Sequence, residues 1–205
     1  MSNIDLLSLF KSVTGVLQDN RESLNKADEY NANHGDNMVE IFDVITQAVS
    51  KKGGADPADQ LAYASQLLGK KKSGSAQAYA QGLSQASNRF QGKQVTQDNA
   101  MQLLQTLLGA GEPPPSTNPL EGLLGGLLGG EKTEQQEDAG LDAGDLLNAG
   151  LAFMAAKDRG ESNAEALVDA VVSGSPLSQT PHRAQSSSLV ANTLLEMLGS
   201  LASKK

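Results

Sequence analysis

The stretch Leu24-Asn25-Lys26-Ala27-Asp28-Glu29-Tyr30-Asn31-Ala32-Asn33-His34-Gly35-Asp36-Asn37-Met38 decides how this chain is read. A helical pattern ends within it, Asn, Asp and Gly cluster as turn formers, and an apolar helix follows from Met38. Asp36 or Asn37 is the expected cap of that helix, whose inner face is Met38, Ile41, Phe42, Ile45 and Val49. Asn31, Asn33, His34 and Asn37 place four polar side chains able to face a metal or a phosphate within seven positions. The bland alternative is a tight turn and a helix cap with no ligand at all.

Outward from that loop the pattern stays helical. Ile4, Leu7, Phe10, Val13 and Leu17 recur at helical spacing, and a short second piece covers Asp19 to Asp28. Asp56-Pro57 restarts the chain after Gly53-Gly54, with proline at a first helical position and Leu61, Ala64, Leu67 and Leu68 facing inward. Ser73-Gly74-Ser75 opens a long helix through Ala78, Tyr79, Gly82, Leu83, Ala86 and Phe90. A glycine on that buried face predicts a close approach by another helix, because mid-helix glycine otherwise costs up to about 1 kcal/mol. Thr96 is the expected cap of the next helix, carrying Met101, Leu104, Leu107 and Leu108.

Residues 111–140 break this regularity with Pro113-Pro114-Pro115, a repeated Leu-Leu-Gly-Gly and an acidic run, and read as a flexible insert. The Leu-Leu-Gly-Gly run is too short to span a bilayer, which leaves a loop over the mouth of the fold or a docking element. Helices resume near Asp142, with a capping box at Ser162-Asn163-Ala164-Glu165, and a last helix is expected from Ser186 to Ser188 onward. Asp142 and Asp145 read as a helix cap and a first-turn acid. No segment reads as a strand, so the expected fold class is all-α: about eight antiparallel helices in one domain.

Composition narrows function further. The 205 residues carry a formal charge of −8 with only 3% aromatic content and no Trp, which suits a core of Leu, Ala, Val and Met and argues against a nucleic-acid surface. The run Lys70-Lys71-Lys72 reads as a solvated helix end. Without Cys there is no disulfide, thiol nucleophile or thiolate metal site. The start lacks a signal-peptide pattern and no window has the roughly 18 apolar residues of a membrane span, so a cytoplasmic protein is expected. No Ser/His/Asp grouping has spacing that supports a hydrolase.

The order Asn31-Ala32-Asn33-His34-Gly35-Asp36-Asn37-Met38 resembles the metal-and-nucleotide loop of the DhaL (Dak2) family, which usually reads Gly-Asp-x-Asp-His-Gly-x-Asn-Met. That family is the ATP- or ADP-binding part of dihydroxyacetone kinases. The resemblance implies a closed barrel of eight antiparallel helices with a nucleotide and Mg²⁺ held by loops at one end, and a separate partner subunit that brings the substrate. On it, His34 and Asn37 face the nucleotide, and Lys72-Ser73-Gly74-Ser75 echoes a phosphate-touching loop, making Ser73, Gly74 and Ser75 binding residues.

Asn31 and Asn33 fall where the family has metal-binding aspartates, and Asp28 matches a third upstream, though more closely spaced. Magnesium prefers carboxylate and phosphate oxygens, and an asparagine offers only a carbonyl dipole. Weak or lost phosphoryl transfer is therefore expected, since transfer relies on metal to offset charge on the moving group. Two further family loops are reduced here to Gly144-Asp145 and to Pro181-His182-Arg183-Ala184-Gln185-Ser186. His182 alone reads as a surface histidine, or with Arg183 as a cation and donor near the same end. Two functions stay open: a kinase-type nucleotide subunit, or a noncatalytic helical barrel used for protein interaction or regulation, with or without a cofactor.

Overall fold

The computed structural model describes residues 3–96, 99–108, 166, 169, 171–173, 175, 177 and 180–202, the last five as backbone only. Seven helices are described from end to end, α1 (Leu6–Asp19), α2 (Arg21–Ala27), α3 (His34–Lys51), α4 (Pro57–Leu68), α5 (Gly74–Arg89), α6 (Ala100–Leu107) and α7 (Pro181–Ala202), and residues 166, 169 and 171–173 are helical as well. The fold is all-α; among the described residues the only β pairing is an isolated bridge between Asn3 and Thr96. The expected insert at 111–140, the Gly144-Asp145 motif, the Asp142/Asp145 pair and the Ser162–Glu165 box lie outside the described residues. No described helix is long and apolar enough to cross a membrane.

Local chemistry sets most helix starts. Asp5 caps α1 by accepting the Leu7 and Ser8 N–H groups at 3.3 and 3.0 Å. Leu6, Leu9, Phe10, Val13 and Leu17 form its buried face, so Leu9 joins the expected stripe while Leu7 is only partly buried. Pro57 takes the first position of α4 as expected, although the Asp56 side chain makes no capping bond. Ser73 caps α5, its hydroxyl accepting the Ala76 N–H at 3.2 Å.

Three starts differ from the sequence expectation. Helix α3 begins at His34, with Asn33 at the cap position instead of Asp36 or Asn37. Asp36 instead sits in the first turn, where a negative charge favours the helix dipole; its N–H donates to Asn25 Oδ1 at 3.1 Å and its carboxylate accepts from Asn25 Nδ2 at 3.0 Å. Helix α6 begins at Ala100 with Asn99, not Thr96, at the cap position; Asn99 Oδ1 accepts the Thr96 N–H at 2.8 Å and holds the approach. Helix α7 begins at Pro181, five residues ahead of the serines, because proline is preset for a first helical position and the Thr180 carbonyl accepts the Ala184 N–H at 2.9 Å.

Packing joins these elements into one core. Helix α7 lies against α1, α1 against α3, α3 against α4, α4 against α5, and α5 against α6; α6 also meets α7, and α2 sits on α3. Phe10, Phe42 and Tyr79 carry the core from α1 through α3 to α5, with centroids 6.4 and 5.1 Å apart and the second pair edge-on. The close approach predicted at Gly82 is present: a Cβ there would lie 2.5 Å from the Leu107 carbonyl oxygen. Ala166, Val171, Val172 and Leu177 join the same buried set.

Candidate functional site

Three stretches that are far apart in sequence line one cleft of about 380 Å³. The α2–α3 loop and first turn of α3 supply Asp28, Tyr30, Asn31, Asn33, His34 and Asn37; the start of α5 supplies Ser73, Gly74 and Ser75; the start of α7 supplies Thr180, His182 and Arg183. Asp28, Asn31, Asn33, His34, Asn37, Ser73, Gly74 and Ser75, singled out in the sequence, are on this wall. So are the first turns of three helices, each presenting the positive end of a helix dipole.

Asp28 organises the loop. Its carboxylate accepts the backbone N–H of Tyr30 at 3.2 Å and of Asn33 at 3.3 Å, and its own carbonyl accepts the Ala32 N–H at 3.1 Å. The chain turns at Ala32, whose φ of 51° is uncommon for a residue with a side chain. Burial of Asp28, only 5% exposed, pushes its pKa up, yet the Tyr30 and Asn33 N–H groups and nearby His182 outweigh this and hold it below the ordinary value. The loop then enters α3 through Gly35, which has no room for a side chain: a Cβ would stand 2.0 Å from the Arg21 carbonyl oxygen.

His34 is a buried member of this wall. Ser186 Oγ donates its one hydrogen to the Arg183 carbonyl at 2.9 Å, so the 2.9 Å contact to His34 Nε2 assigns the imidazole hydrogen to that nitrogen. Burial is the main cause that lowers the His34 pKa to about 4, with repulsion from His182 and Arg183 adding to it and Asp28 opposing. The ring is neutral at pH 7, with Nδ1 as acceptor. His182 lies against it, ring centroids 4.7 Å apart, with Nδ1 3.9 Å from Asp28 and Nε2 3.1 Å from the Thr180 hydroxyl. At 18% side-chain exposure in the cleft wall, His182 is not the surface histidine that the sequence alone favoured.

Arg183 reaches across to the start of α5, where a Cβ on Gly74 would lie 3.0 Å from its Nη2. It makes no ion pair among the described residues, and so leaves a cation beside three helix starts. A smaller adjoining cleft of about 130 Å³ shares Asn37 and Ser73 and adds Lys71 and Lys72. The lysine run follows the end of α4 with Lys70 and Lys72 exposed, as expected, and Lys71 pairs with Glu40 of α3 at the surface.

The expected magnesium positions do not fit that ion. Both Asp28 oxygens are engaged by backbone N–H groups, and Asn33 Oδ1 accepts the Asn37 side chain at 2.7 Å. Among the described residues no group of three or more His, Asp or Glu is arranged to hold a metal. Around the cleft stand helix N-termini, a guanidinium, serine hydroxyls and neutral donors, the kinds of group that can receive an anion. Tyr30 and Thr180 were not singled out from the sequence; Pro181 was the available signal for Thr180, since it fixes where α7 starts. No known protein family, curated protein or solved structure matches this chain.

Proposed function

We propose that this protein is a DhaL-like helical barrel whose cleft binds a phosphate-bearing ligand, ADP or ATP, without supporting phosphoryl transfer. One observation carries the reading: the stretch 28–37, which resembles the family's first loop, lines a single cleft at the starts of three helices together with 73–75, an echo of its second, and 180–183, at the reduced remnant of its last. Helix N-termini beside Arg183 are a ready arrangement for phosphate oxygens. The meeting of α6 with α7 supports a closed ring of helices.

Catalysis is set aside on the chemistry of the donors. Asn31 and Asn33 bring no charge, and Asp28 is committed to the loop backbone. A cleft that binds nucleotide but lacks metal carboxylates suits a regulatory or partner-binding subunit in the cytoplasm.

Titration calorimetry with ADP, ATP and pyrophosphate, each with and without Mg²⁺, tests this. The expected result is binding that changes little with Mg²⁺. No heat at millimolar nucleotide and pyrophosphate removes the anion-site reading, and tight binding that demands Mg²⁺ removes the noncatalytic one.

A further inference from the structure

The described aromatic residues divide into two groups. Phe10, Phe42, Phe90 and Tyr79 are core residues no more than 1% exposed, and Tyr63 is partly buried with the Lys51 and Lys52 ammonium groups 5.8 and 5.3 Å from its ring centre. Tyr30 stands apart at 93% exposure, and among the described residues it is the only exposed large hydrophobic side chain. It is also a wall residue of the cleft.

A tyrosine on a loose loop would carry no argument, but this loop is fixed. The Tyr30 N–H is held by Asp28, as is Asn33 on the other side of the turn, and Ala32 is bonded back to the Asp28 carbonyl. The backbone that carries the ring is therefore ordered before any ligand arrives, so little further loop ordering opposes binding. The same cleft is lined by helix starts and Arg183. Its 380 Å³ lies within the roughly 300–1,000 Å³ of small-molecule sites and far exceeds the roughly 30 Å³ of one water, so there is room for more than a lone phosphate.

We infer that Tyr30 is a specificity residue of this cleft, stacking its ring on the planar base of a nucleotide whose phosphates lie at the helix starts. This rests on the anion-site reading above and adds to it a base-recognising face. Base–aromatic stacking tolerates any base because every base has a π face, so Tyr30 selects for nucleotide over bare polyphosphate and not for one base over another.

The test compares ADP and pyrophosphate binding by calorimetry in the full chain and in its Tyr30→Ala and Tyr30→Phe variants. Tyr30→Ala should weaken ADP by roughly 5- to 150-fold, the range that follows from loss of one stacked base, and leave pyrophosphate unchanged. Tyr30→Phe should keep ADP affinity within about twofold, since the ring and not the hydroxyl makes the stack. Because the side chain is exposed, neither variant removes core packing. Equal ADP affinity in Tyr30→Ala, or an equal loss for ADP and pyrophosphate, overturns the stack while the anion site stands. Wild-type protein that binds pyrophosphate as well as ADP also overturns it. Binding of neither probe overturns the anion site, and the stack with it.

Discussion

A methyl group on Gly74 would stand 3.0 Å from Nη2 of Arg183, so the guanidinium lies directly over the first residue of α5. This contact joins two helix starts that are over a hundred residues apart in sequence, and it fixes where the cleft's cation sits. Gly74→Ala should shift the guanidinium by a few tenths of an ångström and weaken pyrophosphate binding by about two- to fivefold, the effect of losing up to about 1 kcal/mol. Arg183→Met should weaken it by about 10-fold or more, because a hydrogen bond to a charged group contributes about 1.5–3 kcal/mol. Calorimetry at constant salt reads both, and melting temperatures near wild type would show that the change is in the site.

His34 makes stability depend on pH in a defined direction. Its pKa is about 4 in the folded protein against 6.5 when unfolded, so between these values the unfolded chain binds more protons. Stability is therefore full above about pH 6.5 and falls as the pH drops toward 4. The shift sets an upper bound of about 3 kcal/mol, which screening beside the open cleft reduces to about 1–2 kcal/mol. Asp28, with its lowered pKa, contributes stability that is lost only in the more acid range below its ordinary 3.8. Urea unfolding at pH 7, 6, 5 and 4.5 should show the decline in wild type and a flatter profile in His34→Gln, which keeps a donor for Ser186.

Two glycines should respond oppositely to the same change. At Gly82 a Cβ would meet the Leu107 and Thr106 carbonyl oxygens at 2.5 and 2.8 Å, and backbone cannot move aside as a flexible side chain can. Gly82→Ala should destabilise by about 1–3 kcal/mol despite its better helix propensity. At Gly15 of α1, exposed and with nothing within 4 Å, Ala should stabilise by about 0.5–1 kcal/mol. Denaturant midpoints of the two variants, with unchanged slopes, check the pair.

What the sequence disclosed follows from how local each determinant is. Gly82 was legible because a glycine in the middle of an apolar stripe has few explanations. The faces of α3 and α5 were legible because period and burial coincide. The start of α3 was misplaced because its determinant, Asp28 accepting the Asn33 N–H, lies outside the helix, while Asp36 has a cap's chemistry without acting as the cap. The start of α7 was misplaced because three serines outweighed one proline. His182 was undervalued for a nonlocal reason: its place against Asp28 and His34 comes from packing between α7 and the α2–α3 loop, which no spacing records. The cleft residues were readable as types, and their convergence was not.

The metal question can be put to the loop itself. Asn33 Oδ1 accepts the Asn37 side chain at 2.7 Å, a bond that aspartate could accept equally well, and Asn31 lines the open cleft. Asn31→Asp with Asn33→Asp should therefore fold, and it would set two carboxylates beside Asp28. Like charges so close repel, so the double variant should melt below wild type without metal. Added Mg²⁺ should bring it back up, since a ligand that binds only the folded state stabilises it by mass action. Calorimetry should then detect Mg²⁺ binding in the double variant and none in wild type at the same millimolar concentration. A variant that folds but takes up no Mg²⁺ would mean that the loop from Asp28 to Asn37 is not built as the DhaL loop is, and that its sequence likeness does not reach the geometry of the site.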